Sequence, residues 1–383
     1  MAPGAEPATS RWPPRRPDRA SAGTILLAAG ALLAAGPAFA VVPDPSQAAQ
    51  VFARRTQTVT DRVHLIDKPD AVTPPFEGNI VVIEQSQGLV VVDAGGSPAS
   101  GRAAVAEIRK ISRKPVRFLI YTHYHGDHNL GAGAFREAWP GLTIISTART
   151  RENMTGPPMA YVATYAKSYS DMADVAARTA VDPKVPEAAR AGWARTAKAG
   201  PGMVAGYARL TVYPADVTFT QTLSLPDADA PVEVMFLGRG NTDGDAVVWA
   251  PKQRVLASGD LVVAPIPYAA HTYPGDWIAT LKALEGFDFA ELVPGHGPVM
   301  TDRAYVEKLI AALQTVRDQV GPLARQGLPL DEVRKRIDLK AMQAGFTGDD
   351  AWLKTLISAV FTGDLVANAY KEARGETVIQ GKG

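Results

Sequence analysis

Six histidines occur in 383 residues, and three of them fall within six positions, as His123-Tyr124-His125-Gly126-Asp127-His128. Neutral imidazole is a ligand suited to zinc, and a neighbouring carboxylate offsets the charge of a divalent ion. In an extended segment His123 and His125 point to the same side, because side chains alternate along a strand. Asp127 and His128, on the turn that follows, can address a second position close by. Two ions that near would polarise a carbonyl or phosphoryl oxygen and activate a water between them. The chain contains no cysteine, which removes disulfides, thiolate metal sites and a cysteine nucleophile at once.

These side chains need a rigid platform. The β-branched run Val116–Tyr121 directly precedes the motif and reads as a buried strand, so the histidines leave a strand end. Upstream, Val59–Asp67 alternates like an edge strand, and Asn79–Glu84 and Gly88–Asp93 give a hairpin signal around Ser86-Gln87-Gly88. Ser97-Pro98 opens a helix with Val105, Ile108 and Ile111 on one face. Gly131–Ala138 reads as helix and Leu142–Ser146 as strand. From about 147 to 212 the chain turns Ala-rich and helical in period. There Tyr161, Tyr165 and Tyr169 share one helix face, which either packs on the body or forms a wall against substrate. Strand patterns return at Val217–Thr220, Val232–Leu237, Ala246–Trp249 and Val255–Ala257, then a helix at Asp276–Leu284 and a short strand at Leu292-Val293. Asp302 onward is helical, with Val306, Leu309, Ile310, Leu313 and Val316 on one stripe. This order predicts two sheets sandwiched between helices.

The segment Thr122–His128 resembles the signature of the metallo-β-lactamase-fold superfamily. Other parts of that pattern follow in order: Asp93 after an apolar strand, Gly259-Asp260 after Val255–Ala257, and Gly295-His296-Gly297. The resemblance covers about residues 58–300. It implies an α/β fold, an αββα sandwich with metals at the edge between the sheets. It further implies that His123 and His125 hold metal 1, that Asp127, His128 and His296 hold metal 2, and that Asp260 bridges them. Asp127 would also orient the attacking water or take its proton. The implied cofactor is zinc, as one or two ions, with another divalent metal as the alternative. Residues 41–57 become a lead-in, 147–212 a helical insertion and 301–383 a helical C-terminal extension. That extension serves as a cap on the body, or else as a dimerisation or partner surface.

One position departs from the pattern. The family places a third metal-1 histidine in a Gly-x-x-His-Thr-x-Gly segment, and here Gly238-Arg239-Gly240-Asn241-Thr242-Asp243-Gly244 puts Asn241 in its place. An amide oxygen is a weaker zinc ligand than imidazole. Three arrangements fit: Asn241 coordinates or holds a water, metal 2 alone fills, or catalysis is lost and the fold kept. His271 could swing in as a substitute, although a surface or structural role is the simpler expectation. His64 reads as structural, Asp243 and Asp245 as turn residues, and Arg239 as a surface charge or a contact for an anionic substrate.

The chain as a whole limits what such a site would serve. Hydrophobic residues make up 46% and charged residues 21%, which excludes a disordered chain. An Arg-rich head, the apolar run Thr24–Ala35 and Ala38-Phe39-Ala40 predict a secretory signal over residues 1–40, too short in its apolar part for a stable anchor. Arg15-Arg16 is followed by Pro17-Asp18 rather than an apolar pair, so a twin-arginine signal is the weaker reading. Cleavage would remove four arginines and two acids from 40 basic and 39 acidic residues, leaving a net charge of −1. That balance argues against nucleic acid as a partner. The sequence therefore predicts a periplasmic or secreted, metal-dependent hydrolase of a small molecule. Its metal-activated water would attack an ester, thioester, lactone or lactam carbonyl, in a branch similar to quinoprotein-associated and class-B3-like hydrolases. The alternative is a catalytically impaired protein of the same fold that binds a small ligand or metal without turnover.

Overall fold

Runs of β-branched residues too apolar for water make the centre of the molecule. Ile80–Ile83 and Leu89–Val92 are buried throughout, and they form antiparallel strands β3 (Ile80–Glu84) and β4 (Leu89–Val92). The computed structural model describes residues 45–381, so the expected signal at residues 1–40 lies outside the described residues. After helix α1 (Pro45–Val51), strands β1 (Arg55–Thr58) and β2 (Val63–Asp67) pair antiparallel beside β3. Strands β5 (Val116–Ile120), β6 (Thr143–Thr147) and β7 (Val217–Phe219) then extend the sheet parallel to β4, giving seven strands in sequence order. A second sheet is a meander of β8 (Thr222–Leu225), β9 (Val232–Phe236), β10 (Ala246–Ala250) and β11 (Val255–Val263). Strand β12 (Glu291–His296) lies parallel to β11 at its edge.

Period-2 alternation decides what each face meets. Val81, Ile83, Val90 and Val92 point between the sheets, against Val232, Val234 and Val248. Ile80, Val82, Leu89 and Val91 point the other way, onto α2 (Pro98–Ile111), α3 (Gly126–Asn129) and α4 (Ala132–Ala138), through Val105, Ile108, Leu130 and Phe135. Each such side chain taken fully out of water contributes about 1.5–3 kcal/mol. The Ser97 hydroxyl caps α2 by accepting from Ser100 N, with Pro98 in the first turn.

The second sheet is covered by α8 (Pro274–Glu285) and by the C-terminal helices. Those are α9 (Ala304–Arg325), α10 (Leu330–Arg336), α11 (Lys340–Thr347), α12 (Ala351–Ile357) and α13 (Gly363–Ala373), with a π-helical segment at Ser358–Thr362 between the last two. Val247 and Leu256 of the sheet share one core with Trp277 and Leu281 of α8, Leu309 and Leu313 of α9, and Leu365 of α13. The C-terminal region is thus the outer helical layer of this half, which completes the αββα order. In the insertion, α5 (Ala148–Thr155) leads through a 3-10 segment at Pro157–Thr164 to α6 (Tyr165–Ala180) and α7 (Glu187–Gly206). No described helix is long and apolar enough to cross a membrane.

Several elements differ from expectation: residues 41–57, expected as a lead-in, hold α1 and most of β1. Val59–Asp67 is not one strand, because the polar Thr60-Asp61-Arg62 turns the chain back and Val59 N donates to Val63 O at 2.8 Å. Strand β8 forms where the sequence pattern predicts no strand; an edge strand with mostly polar, exposed residues carries little hydrophobic signal. Strand β11 runs on to Val263 instead of stopping at Ala257, and its register with β12 shifts on either side of Gly259. That irregularity bends the strand where Asp260 sits and aims the carboxylate at the motif loop.

Candidate metal centre

Strand β5 ends at Ile120, and the backbone then releases His123, His125, Asp127 and His128 within one short loop and the first turn of α3. Asp260 enters from the bulge of β11 and His296 from the last position of β12. Their ligand atoms meet in two groups, Asp127 with His128, Asp260 and His296, and His123 with His125 and Asp260. Within each group the atoms lie within 4.8 Å of one another, and Asp260 belongs to both. His128 Nε2 stands 3.2 Å from His296 Nε2 and 3.1 Å from Asp260 Oδ1, and His296 Nε2 stands 3.0 Å from Asp127 Oδ2. In the other group, His123 Nε2 is 3.0 Å from His125 Nδ1 and 3.6 Å from Asp260 Oδ2. Six of the seven sequence-expected site residues therefore converge.

Asn241, the seventh, is fully buried on the loop between β9 and β10. Its Nδ2 donates to Tyr268 O at 3.0 Å, and its Oδ1 accepts no hydrogen bond. His271 does not enter either group; its Nδ1 faces the outer nitrogen of His125, Nε2, at 3.2 Å. Asp243 and Asp245 are turn residues. Asp245 accepts from Thr242 N and Oγ1 at 2.8 and 2.7 Å, and Asp243 binds Arg149 and Asn153. Arg239 pairs with Asp276 at the surface, and His64 pairs with Glu84 on the paired strands β2 and β3.

Hydrogen bonds behind the ligand atoms fix which ring nitrogen turns inward. His128 Nδ1 donates to Asp93 Oδ2 at 2.7 Å, so Nε2 is the nitrogen turned to the donor group. Against the effect of burial, Asp260, Asp127 and Asp93 raise this imidazole well above its usual value, so a proton stays on Nε2 until a cation replaces it. Thr122 Oγ1 donates to Asp93 at 2.8 Å and so must accept from His123 Nδ1 at 2.9 Å, leaving His123 Nε2 bare. Asp93 therefore orders both histidines, a role its place in the sequence did not disclose. Two glycines permit the closeness. A Cβ on Gly78 would lie 2.5 Å from the His128 ring, and one on Gly295 would lie 2.0 Å from Asp260 Oδ1.

The electrostatics suit a cation. Among the described residues, Asp93, Asp127 and Asp260 pair with no lysine or arginine. Burial, together with neighbouring histidines, pushes His123 and His125 well below the usual imidazole value, so both are neutral donors. Burial opposes ionisation of Asp127, yet His128 and His296 hold its carboxyl well below the carboxylate range. Buried Asp260 Oδ1 accepts no hydrogen bond. Imidazole nitrogens turned inward, carboxylates paired with histidines alone and an orphaned buried oxygen together are what one or two divalent ions would satisfy. The donor set of imidazole nitrogen and carboxylate oxygen fits zinc.

The groups open onto a cavity of about 420 Å³ with His125, Asp127, Asp260 and His296 on its floor. Its walls are apolar and come from separate parts of the chain: Val72 and Phe76, Tyr161 and Tyr165 of the insertion, Ile266 and Tyr268, and Leu356 and Val360. The three tyrosines do not share one helix, because Tyr161 lies on the 3-10 segment ahead of α6, yet Tyr161 and Tyr165 pack against the core of the first sheet's outer face. Tyr165 and Tyr169 stack on Tyr207 of α7 with centroids 4.6 Å away, and the same residues with Tyr161 line the cavity. Tyr161 Oη accepts from Gly126 N at 2.9 Å, between His125 and Asp127.

A two-sheet sandwich with this donor set at its edge defines a metallohydrolase, and comparison with known proteins agrees. The family model of the metallo-beta-lactamase superfamily matches residues 73–296, and the chain belongs to that superfamily of hydrolases. It is similar to a linear primary-alkylsulfatase of Pseudomonas sp. (strain ATCC 19151), 28% identical over 291 residues that cover 70% of this chain and 51% of that one. It also resembles a metallo-beta-lactamase type 2 of Bacillus sp. (strain 170), 24% identical over 227 residues, 58% of this chain and 67% of the other. Among solved structures, the stereoselective inverting sec-alkylsulfatase Pisa1 from Pseudomonas sp. shares the fold. The TM-score is 0.57 at 15% identity, over 85% of this chain and 51% of that one. The chain thus spans about half the length of the alkylsulfatases it matches.

Proposed function

We propose that this protein is an exported, zinc-dependent hydrolase of small neutral esters or lactones with an apolar body. The observation that carries the reading is the pair of donor groups sharing Asp260 on the floor of an apolar cavity. Divalent ions held there supply Lewis acidity and an activated water. The chain supplies the rest. Asp127, held ionised, accepts a hydrogen bond from the attacking water and orients it towards the substrate. Burial pushes the Tyr161 phenol up, so it stays protonated, and its oxygen already accepts from Gly126 N. Its own proton is then free to meet negative charge developing on a substrate oxygen. The apolar walls hold the substrate body and exclude water.

No lysine or arginine lines the cavity among the described residues, which favours a neutral carbonyl substrate over an anionic one. A second reading, hydrolysis of alkyl sulfates, is favoured by the 28% identity to an alkylsulfatase. The test is full-length protein with zinc, assayed on p-nitrophenyl acyl esters, lactones, a chromogenic lactam and dodecyl sulfate. Ester or lactone hydrolysis that a chelator abolishes and zinc restores is expected. Sulfate release without ester hydrolysis would establish the second reading. Zinc binding with no turnover of any substrate would make this a binding protein. For export, a mature N-terminus at Val41 is expected by mass spectrometry, and a chain that retains residues 1–40 after secretion sinks that part.

A further inference from the structure

Each histidine of the motif turns one ring nitrogen to the donor groups and has its other nitrogen met by a different neighbour. For His128 the neighbour is Asp93, and for His123 it is Thr122, backed by Asp93. His125 has neither a carboxylate nor a hydroxyl there. Its Nδ1 faces His123 Nε2 at 3.0 Å, and its Nε2 lies 3.2 Å from His271 Nδ1. The His123–His125 contact lies inside a donor group, where a cation would stand in place of a proton; at the His125–His271 contact, outside that group, one nitrogen donates and the other accepts. A neutral imidazole that offers Nδ1 to a cation carries its proton on Nε2. His125 Nε2 therefore donates, His271 Nδ1 accepts, and the proton of His271 resides on its own Nε2.

We propose that His271 is a positioning residue for the metal centre: by accepting the Nε2 proton of His125, it fixes that ring's tautomer and leaves Nδ1 for a divalent ion. This rests on reading the donor groups as a metal centre. It assigns His271 neither the ligand role of the missing third histidine nor that of a surface residue.

The loop that carries His271 is built to hold it still. The ring is buried, and the His271 carbonyl accepts from Gln380 Nε2 at 3.0 Å. Ala269 N donates to Val360 O at 3.1 Å, and Asn368 Nδ2 donates to Ala269 O at 2.9 Å, so the C-terminal helices grip the loop on two sides. Tyr268 meets the His125 ring edge-on at 5.5 Å between centroids, and Tyr124 does so from another side at 4.7 Å. Asn241 Nδ2 bonds Tyr268 O, so the position that lacks the histidine is tied to the same loop. The C-terminal layer thereby reaches His125 of the motif loop through the His271 imidazole.

The test compares the full-length wild type with His271→Ala and His271→Asn, whose amide oxygen can stand where Nδ1 stands. Zinc affinity is read by chelator competition, and cobalt-substituted protein by its visible spectrum. We expect His271→Ala to weaken one of the bound ions about 10–100-fold and alter the cobalt spectrum, while His271→Asn stays within about threefold of wild type. Wild-type affinity in His271→Ala, or equal losses in both variants, overturns the proposal. Should neither variant fold, the ring nitrogens of zinc-loaded wild type decide by NMR: a His271 proton on Nε2, with Nδ1 accepting from His125, supports the proposal, and a His271 proton on Nδ1 overturns it. A wild type that binds no zinc overturns the metal centre itself, a result separate from any difference between the variants.

Discussion

Asp93 Oδ2 accepts the Nδ1 proton of His128 at 2.7 Å, although the two residues stand 35 positions apart in the chain. The same carboxylate accepts from Thr122 N and Thr122 Oγ1, both at 2.8 Å, so three donors converge on two oxygens. Asp93→Asn keeps the volume but offers one oxygen and an NH₂ group that cannot accept. One of the three donors is then unmet, and the His128 tautomer is no longer enforced. Zinc affinity should fall about 10–100-fold with little change in substrate range, as measured by chelator competition. Undiminished affinity would mean that the carboxylate does not set the tautomers.

Asn241 is the next point at which the centre can be altered. Its Oδ1 is buried and accepts nothing, while its Nδ2 is held by Tyr268 O. Asn241→His restores the imidazole that the family pattern places there. Zinc titration should show the weaker of the two ions bound at least about tenfold more tightly, because an imidazole replaces a neutral oxygen. Equal occupancy in both proteins would show that the first group is already complete with His123, His125 and Asp260.

The centre was legible in the sequence to the extent that its donors are rare residue types at fixed spacing. Histidine occurs only six times, so His123, His125 and His128 stood out, and Asp260 and His296 were found by order along the chain. What lies behind those donors was hidden. His271 reaches His125 across 146 positions, and no periodicity links residues that meet only because two sheets pack. Buried strands such as β3 and β4 announced themselves by unbroken β-branched runs, whereas the edge strand β8, mostly polar and exposed, did not. The extent of β11 was missed because Gly259-Asp260 reads as a strand end, when it is a bulge inside one.

Arg54 and Glu77 form a fully buried ion pair behind the motif loop. Glu77 also accepts from Ser100 Oγ and Gly96 N, and Arg54 donates to Gly78 O at 2.8 Å. Gly78 abuts the His128 ring and Gly96 abuts Asp127, so the pair braces both sides of the second donor group. Arg54→Met leaves the Glu77 charge buried without its partner. Urea unfolding of the metal-free protein should show a loss of about 3–5 kcal/mol, and Arg54→Met combined with Glu77→Leu should recover most of it. A single-variant loss below about 1 kcal/mol would contradict this.

Lys68 gives the fold a pH dependence that can be worked out in sign. Its Nζ donates to Asp70 O and Thr73 O, both at 2.6 Å, and so shapes the loop that gives Ala71 and Val72 to the cavity wall. Trp352 Nε1 and Arg195 Nε hold the same loop from the C-terminal layer and from the insertion. Burial lowers the Lys68 ammonium to about 8, despite the opposing pull of Asp70 and Glu77. Between pH 8 and 10.5 the unfolded chain then holds a proton here that the folded chain has released. Stability contributed by this group must rise with pH across that window, and the full desolvation cost persists below it. Lys68→Met has no such proton. The Tm of the wild type relative to Lys68→Met should therefore climb from pH 8 to pH 10 and stay level from pH 6 to 7.5. A flat difference across the whole range would place the amine in water rather than under the loop.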